Sequence, residues 1–375
     1  MARHPTRKCC TSTLAEITAG FTNCWEIAAN TPKPQSHAGD KGGTERKKSL
    51  SFFLLESQQK DTVGTTGYHV TSKHPDVITS SLQLSPNSQD AKALVQAIAA
   101  GEIANINVER IEVYLRSARD MILEHHRPAP AKGKNDFGEA VTILDIVIQK
   151  YFARALRKDH SDHTLVGEED TPGVCLSKFP SPISDDANIW LIDPVDGSKF
   201  LQVNSTNCST ILGYQKGLTP ILGAACMIDN AKFIIGGKYW PVTINRQPVP
   251  APAPCNEANI KIGYGLGKRK SQEVRDLFMD ELKHITPEEK LVRLGHLTNS
   301  ARALLEGQID AYLSLKEEWY KCGAIYAILT KAGYVTNINP KTLNINDAFS
   351  AWFAKPDFAA KYLQPGSILA KCMEN

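Results

Sequence analysis

At 375 residues with 42% hydrophobic content, the chain is long enough for one large domain or two moderate ones around a substantial core. Its net charge of +3, from 43 basic against 40 acidic side chains, gives no global field to attract nucleic acid or a membrane surface, so any charged ligand must be held locally. Nine cysteines, odd in number and without a CxxC pair, suggest neither a zinc knuckle nor a disulfide framework and fit a reducing compartment.

The longest apolar stretches, such as residues 220–228, fall well short of a membrane span. The first thirty residues carry Arg3, Arg7 and Lys8 against only Glu16 and Glu26, a composition weakly like an organelle transit peptide, although no cleavage pattern or amphipathic face accompanies it. An unstructured tail is the plainer reading. Residues 31–89 are rich in Ser, Thr, Lys, Gly, Pro and Gln and read as mostly disordered. Residues 1–95 are therefore expected to form a disordered or targeting extension, and the location to be cytoplasmic, or organellar if the leader is a transit peptide.

Order is expected from about Ala91. A helix follows in which Val108, Ile111, Leu115, Ala118 and Ile122 recur at three- and four-residue steps, closed by Pro128 and Pro130. Leu144, Ile148, Phe152 and Ala155 mark a second amphipathic helix, with Asp145 in its first turn. Residues 189–192 read as a buried strand, and residues 209–214 and 222–228 as a pair joined through Lys216 and Gly217. Further on come a strand at 260–264, a charged helix at 272–284, a helix at 300–306 ended by Gly307 and a strand at 310–315. A long helix follows Trp319 and stops at Gly333. Alternating strands and helices give a mixed α/β fold, with no internal repeat.

The strand at 189–192 runs into two acids in the stretch WLIDPVDGSKF, residues 190–200. A strand ending in Asp193-Pro194-Val195-Asp196 sets both carboxylates at its carboxyl edge, where α/β folds bind ligands. The bland alternative is a turn with two solvated acids. Upstream, Glu168-Glu169-Asp170 alone reads as a solvated charge run, and Asp145 alone as a helix-dipole partner.

Taken in order, Asp145, Glu168-Glu169 and Asp193-Pro194-Val195-Asp196-Gly197-Ser198, followed by Trp319-Tyr320, resemble the D…EE…DP(I/L)DGT…WD pattern of the inositol monophosphatase family of magnesium-dependent, lithium-sensitive phosphatases. The resemblance covers roughly residues 100–340. It implies a layered α-β-α-β-α sugar-phosphatase fold, with residues 96–230 and 231–375 as its two halves. It also implies a small phosphorylated substrate hydrolysed by metal-activated water, no nucleic-acid or membrane partner, and subunits that pair as a homodimer. Several carboxylates held together repel unless hard cations lie among them, and Mg2+ suits such oxygen donors.

By the same resemblance, Glu168, Asp193 and the Val195 carbonyl would hold one ion, and Asp193 and Asp196 would contribute to a second. Asp145 and Ser198 would orient the attacking water. The backbone N–H groups of Gly197, Ser198 and Lys199 would receive phosphate, and Gly295 and His296 would lie in the substrate-binding segment. A structural role for His296 competes with contact to phosphate or ribose. Lys199-Phe200 after Asp-Gly-Ser looks like the 3'(2'),5'-bisphosphate nucleotidase branch, so inositol phosphate and 3'-phosphoadenosine 5'-phosphate are the substrate types implied.

The main departure is Tyr320, which stands where the family's second-metal aspartate belongs. Tyrosine is a poor Mg2+ ligand, and Glu317 and Glu318 read as solvated. Two outcomes are implied: a phosphomonoesterase, working or weakened, or a phosphatase-like protein that binds phosphorylated ligands without appreciable turnover. Gly263-Tyr-Gly-Leu-Gly-Lys-Arg-Lys270 matches no nucleotide-loop spacing, His125-His126 lacks a partner at metal-ligand spacing, and no G-x-S-x-G is present.

Overall fold

The computed structural model describes residues 88–125, 133–134, 140–169, 182–267 and 270–374, together with Thr171, Val174, Cys175, Leu176 and Phe179. The transit-peptide reading and most of the expected extension lie outside the described residues, as do Asp170 and His126. The first described helix, α1, Gln89–Ala99, is capped by the Ser88 hydroxyl accepting from the Ala91 N–H at 3.1 Å, so residues 89–95 are helical, close to the expected onset at about Ala91. Ala91, Leu94 and Ala97 are its buried stripe.

The helix α2, Val108–His125, buries the expected stripe of Val108, Ile111, Leu115, Ala118 and Ile122. Two short strands, β1 (Gly133–Lys134) and β2 (Ala140–Val141), pair antiparallel before α3, Ile143–Asp159. Then come β3 (Thr164–Gly167), β4 (Cys175–Leu176), β5 (Asn188–Asp196), the single-turn α4 (Ser198–Gln202), β6 (Ser209–Lys216) and β7 (Thr219–Met227). After these, β8 (Phe233–Gly237), β9 (Trp240–Ile244) and β10 (Gln247–Pro248) extend the same sheet beyond residue 230, in the order β10-β9-β8-β7-β6-β5-β3-β4.

The remaining elements are β11 (Ile262–Gly265), α5 (Gln272–Ile285), β12 (Leu291–Val292), α6 (Leu297–Leu305), β13 (Ala311–Glu317), α7 (Trp319–Ala332), β14 (Val335–Thr336), β15 (Phe349–Ala354), α8 (Pro356–Tyr362) and α9 (Ile368–Cys372). A second sheet forms in the order β12-β11-β13-β15-β14.

The period-2 alternation of strand side chains assembles the layers. On β5, Trp190 and Ile192 join one core with Leu115, Ile122, Phe152 and Leu156 of α2 and α3. Ile189 and Leu191 point into another with Leu304 of α6 and Ile325 of α7. Tyr312 of β13 shares that central core, whereas Leu313 and Leu315 face Phe278, Leu282 and Phe358 of α5 and α8. Helices, sheet, helices, sheet and helices thus alternate, as the expected α-β-α-β-α arrangement requires. Because β5 is covered on both faces, its sequence is a continuous apolar run instead of an alternating one. Helix α7 is buried nearly all round, as a helix between two sheets must be. No helix among the described residues is long and apolar enough to cross a membrane.

A histidine cluster adds a pH-sensitive element. His163 Nδ1 lies 3.0 Å from Trp190 Nε1, and its ring stacks on His160 with centroids 4.6 Å apart. An indole N–H only donates, so His163 Nδ1 must accept and the ring is neutral there. Burial, reinforced by His160 and opposed by Asp162, lowers its pKa from 6.5 to about 4. The folded value lies below the unfolded one, so the contribution is present above pH 6.5 and is lost as pH falls through about 4. We expect His163→Asn to flatten this part of the stability profile by about 1–2 kcal/mol after screening is allowed for, read by urea unfolding from pH 7 to pH 4.

Candidate active site

The site is built at the carboxyl end of β5. Pairing of β5 with β6 is regular to Asp193↔Ile211, shifts at Pro194 and Val195, and resumes at Asp196↔Ser209. Pro194 has no N–H for the ladder, and the bulge turns the aspartates out of simple alternation. Beside it, parallel β3 ends at Gly167, opposite Ile192, and the Glu168 N–H continues the ladder by donating to the Ile192 carbonyl at 3.2 Å. That bond carries Glu168 alongside Asp193.

Gln149 of α3 fixes this loop. Its Oε1 accepts from the Glu169 N–H at 2.9 Å, and its Nε2 donates to the Glu169 carbonyl and to Thr171 Oγ1. Both Glu168 and Glu169 are buried, which overturns the solvated-run reading of that stretch. Gln149 is a supporting residue that sequence reasoning missed, since a glutamine on an amphipathic helix carries no spacing signal.

Asp145 enters from the first turn of α3. Thr142 and Asp145 form a capping box, in which Asp145 Oδ2 accepts from the Thr142 N–H at 2.7 Å and from its hydroxyl. The carboxyl is buried and near enough to push the Asp193 carboxyl upward.

Asp193 and Asp196 have opposite environments. Asp193 is 1% exposed, and burial together with the Asp196 charge raises its pKa well above the ordinary carboxyl range. A hydrogen bond with Glu168 and the charge of Lys321 pull the other way. Two buried carboxyl groups in contact need a proton or a cation between them, and Asp193 Oδ1 is a buried oxygen without a hydrogen-bond partner among the described residues. Burial also works to raise Asp196, but His296, Lys321 and the Thr298 N–H outweigh it and hold the group well below the usual carboxylate range. Its Oδ2 accepts from the Thr298 N–H and hydroxyl, both at 2.8 Å, and lies 3.0 Å from His296 Nδ1. With an ionised carboxylate opposite, that ring nitrogen carries the proton.

Asp196 thus clamps the start of α6, and His296 packs against the loop that follows β5. Gly197 has φ +93°, and a Cβ there would lie 3.2–3.3 Å from the His296 ring, so glycine serves both the left-handed turn and the close contact. Phe200 meets the same ring edge-on, with centroids 6.3 Å apart, and crowds Gly295. Ser198 opens α4 half-buried, Lys199 is exposed, and Val195 sits in the bulge.

The turn from β13 into α7 corrects an expectation. Glu317 and Glu318 are buried, not solvated, with exposures of 3% and 1%. Glu318 is paired with Lys316 at 2.8 Å and Lys321 at 2.9 Å, and Glu317 accepts from the Tyr312 hydroxyl at 2.9 Å. Burial pushes Glu317 up to about 7, against the pull of Lys321. Tyr320 is buried in the first turn of α7.

The carboxylates therefore meet only in part. Among the described residues no three His, Cys, Asp or Glu side chains are gathered as a ready-made chelate. Glu168 and Asp193 do meet, and their donor chemistry fits one hard cation. Asp196 Oδ2 is committed to α6, and Tyr320, where the resemblance leads one to expect a further acid, offers a neutral phenol.

The model of the inositol monophosphatase family matches residues 91–365. The fructose-1,6-bisphosphatase/inositol-1-monophosphatase of Aquifex aeolicus is 22% identical over 277 residues, covering 72% of this chain and 95% of that protein. Among solved structures, the IMPase of Thermotoga maritima superposes with a TM-score of 0.57 at 16% identity, over 71% of this chain and 97% of its own. An IMPase/NADP phosphatase complexed with Mg2+ and phosphate gives 0.56 at 16% identity, over 69% of this chain and 95% of its own. With the acidic motifs in order along the matched residues, the chain belongs to the inositol monophosphatase family and is a phosphatase of small phosphate monoesters.

Proposed function

We propose that the chain hydrolyses a phosphate monoester of the inositol phosphate or 3'-phosphoadenosine 5'-phosphate type in a magnesium-dependent reaction at the end of β5. The observation that carries this reading is the buried contact of Glu168 with Asp193, two acids whose charge a cation between them would neutralise where a shared proton otherwise must. The fold shared with an IMPase/NADP phosphatase that was crystallised with Mg2+ and phosphate supports it.

Glu168, Asp193 and the Val195 carbonyl would hold the ion. Magnesium, when bound, supplies a Lewis acid for the phosphoryl oxygens and lowers the pKa of water. Asp145 and Ser198 position the attacking water: Asp145 is fixed by its cap and unable to swing away, and Ser198 has a hydroxyl that both donates and accepts. The N–H groups of Gly197, Ser198 and Lys199 receive phosphate at a turn where Asp196, His296 and Phe200 hold the backbone still. Asp196 acts here as a positioning group.

Phosphate release from inositol phosphate, 3'-phosphoadenosine 5'-phosphate and fructose 1,6-bisphosphate, each with Mg2+ and with chelator, tests the proposal. Release from one of the first two that disappears with chelator is the expected result. Release undiminished by chelator, or from fructose 1,6-bisphosphate alone, would overturn it.

A further inference from the structure

Helix α6 carries a chain of side-chain bonds that runs back from its end to the loop before its start. Lys232, in the turn between β7 and β8, pairs with Glu306 at the end of α6. Glu306 Oε2 accepts from Arg302 Nη1 at 2.7 Å and from Gln308 Nε2 at 3.0 Å. Arg302 in turn donates twice to Asn299 Oδ1, from Nε at 3.0 Å and from Nη2 at 2.8 Å. A guanidinium has only donors, so the amide oxygen must face it, and Asn299 Nδ2 is left to donate to the Leu294 carbonyl at 2.9 Å.

The bonds among Asn299, Arg302 and Glu306 are ordinary helix pairs at three- and four-residue spacing. The bond to Leu294 is not, because Leu294 lies outside the helix and directly before Gly295. A peptide unit is planar and trans, so fixing the Leu294 carbonyl toward Asn299 turns the Gly295 N–H of the same unit the opposite way. That N–H enters no hydrogen bond among the described residues, and Gly295 is exposed. Its surroundings are those of the active-site turn: a Cβ on Gly295 would lie 2.5 Å from Phe200 Cζ and 3.7 Å from Asn207 Nδ2. The next residue, His296, lies 3.0 Å from Asp196 Oδ2.

We infer that Asn299 and Arg302 are positioning residues for the substrate, holding the Gly295 N–H as a fixed donor to an oxygen of the alcohol part of the phosphate ester. The inference deepens the phosphate-monoester reading and rests on it. The N–H groups of Gly197, Ser198 and Lys199 are assigned to the phosphate, which leaves this further donor for the alcohol. Neither side chain touches substrate: Asn299 acts through the Leu294 peptide, and Arg302 acts through Asn299. A donor already in place binds without a further ordering cost. Because such a contact is remote from the reacting atoms, it is made equally in the ground and transition states, and its loss falls on KM.

Steady-state kinetics of the full chain on inositol 1-phosphate and 3'-phosphoadenosine 5'-phosphate, with inorganic phosphate as competing ligand, test this. In Asn299→Ala, KM for the ester that is turned over should rise about tenfold, with kcat within about twofold and inhibition by inorganic phosphate unchanged. Arg302→Gln should raise KM about threefold, and the double variant should be no worse than Asn299→Ala, because the guanidinium acts only through the amide. A purely structural role would lower Tm and the active fraction with KM untouched. That result, or KM effects that multiply in the double variant, would overturn the inference. Weaker inhibition by inorganic phosphate in step with KM would overturn it as well, since the loop would then serve the phosphate. If Asn299→Ala does not fold, Arg302→Gln decides on the same two constants. If the wild-type chain releases phosphate from neither ester, the substrate reading fails separately, and equilibrium binding of inositol 1-phosphate decides: about tenfold weaker binding to Asn299→Ala supports the inference, and equal binding, or none to either chain, overturns it.

Discussion

Replacing Asp193 by Asn should lower phosphatase activity by about 10³-fold or more while raising the stability of the metal-free chain. The two effects have one cause. Burial and neighbouring acids hold the Asp193 pKa well above its ordinary value of 3.8. A carboxyl with a raised folded value contributes stability below its unfolded value and loses it as pH rises through the folded value, so at neutral pH the group works against the fold. Asparagine keeps the shape, cannot ionise, and gives Glu168 a neutral neighbour. The metal-free variant should gain about 1–2 kcal/mol, a few degrees in Tm. Added Mg2+ should stabilise the wild-type chain by mass action and leave Asp193→Asn unmoved. Thermal unfolding of both chains with and without Mg2+, beside the activity assay, checks this. A variant that is both inactive and less stable would show Asp193 to be a structural acid, and the site reading would fail.

Why the motif is legible and its neighbours are not follows from where the information sits. Acids on β5 and at the end of β3 are legible only as an ordered set, since each piece alone also reads as a turn or a solvated run, whereas the long helices α2, α3 and α7 carry strong periodicity of their own. The strands β8 and β9 are hidden in the sequence, because Gly236 and Gly237 break the run at 233–244 into pieces that resemble turns. The short elements after residue 340, β15, α8 and α9, are placed by packing on β13 and α5 more than by local pattern.

Burial of Glu317 and Glu318 is invisible for a different reason. Two adjacent glutamates read as solvated unless their partners are known; here Glu318 is held by Lys316 and Lys321, whose own sequence reading is equally surface-like, and Glu317 by the Tyr312 hydroxyl. The Glu318 pairing is local, between the end of β13 and the first turn of α7, and what the sequence does not show is that the packing around that turn buries it. Asp196 is the same kind of case: its motif points to a metal ligand, yet its Oδ2 bonds residues a hundred positions away.

The largest effect on the fold is expected at Gly223, far from the acids in sequence. A Cβ on Gly223 would sit 1.9 Å from the Ala324 carbonyl oxygen and 2.7 Å from its carbon, both backbone atoms of α7 that cannot rotate aside. At Gly213, on the neighbouring strand, the clash at 2.9 Å is with the Ala324 methyl instead. Helix α7 therefore rests in a notch cut by two glycines in the first sheet, nearer than side chains normally allow. Gly223→Val should cost about 4 kcal/mol or more and leave little folded chain at 37 °C, measured by soluble yield and thermal unfolding. The contact type makes the prediction specific: Ala324→Gly should partly rescue Gly213→Ala, by removing the methyl it meets, and should not rescue Gly223→Ala, whose obstacle is the backbone. Gly223→Val that folds with an unchanged Tm would mean that the helix does not sit this close to the sheet.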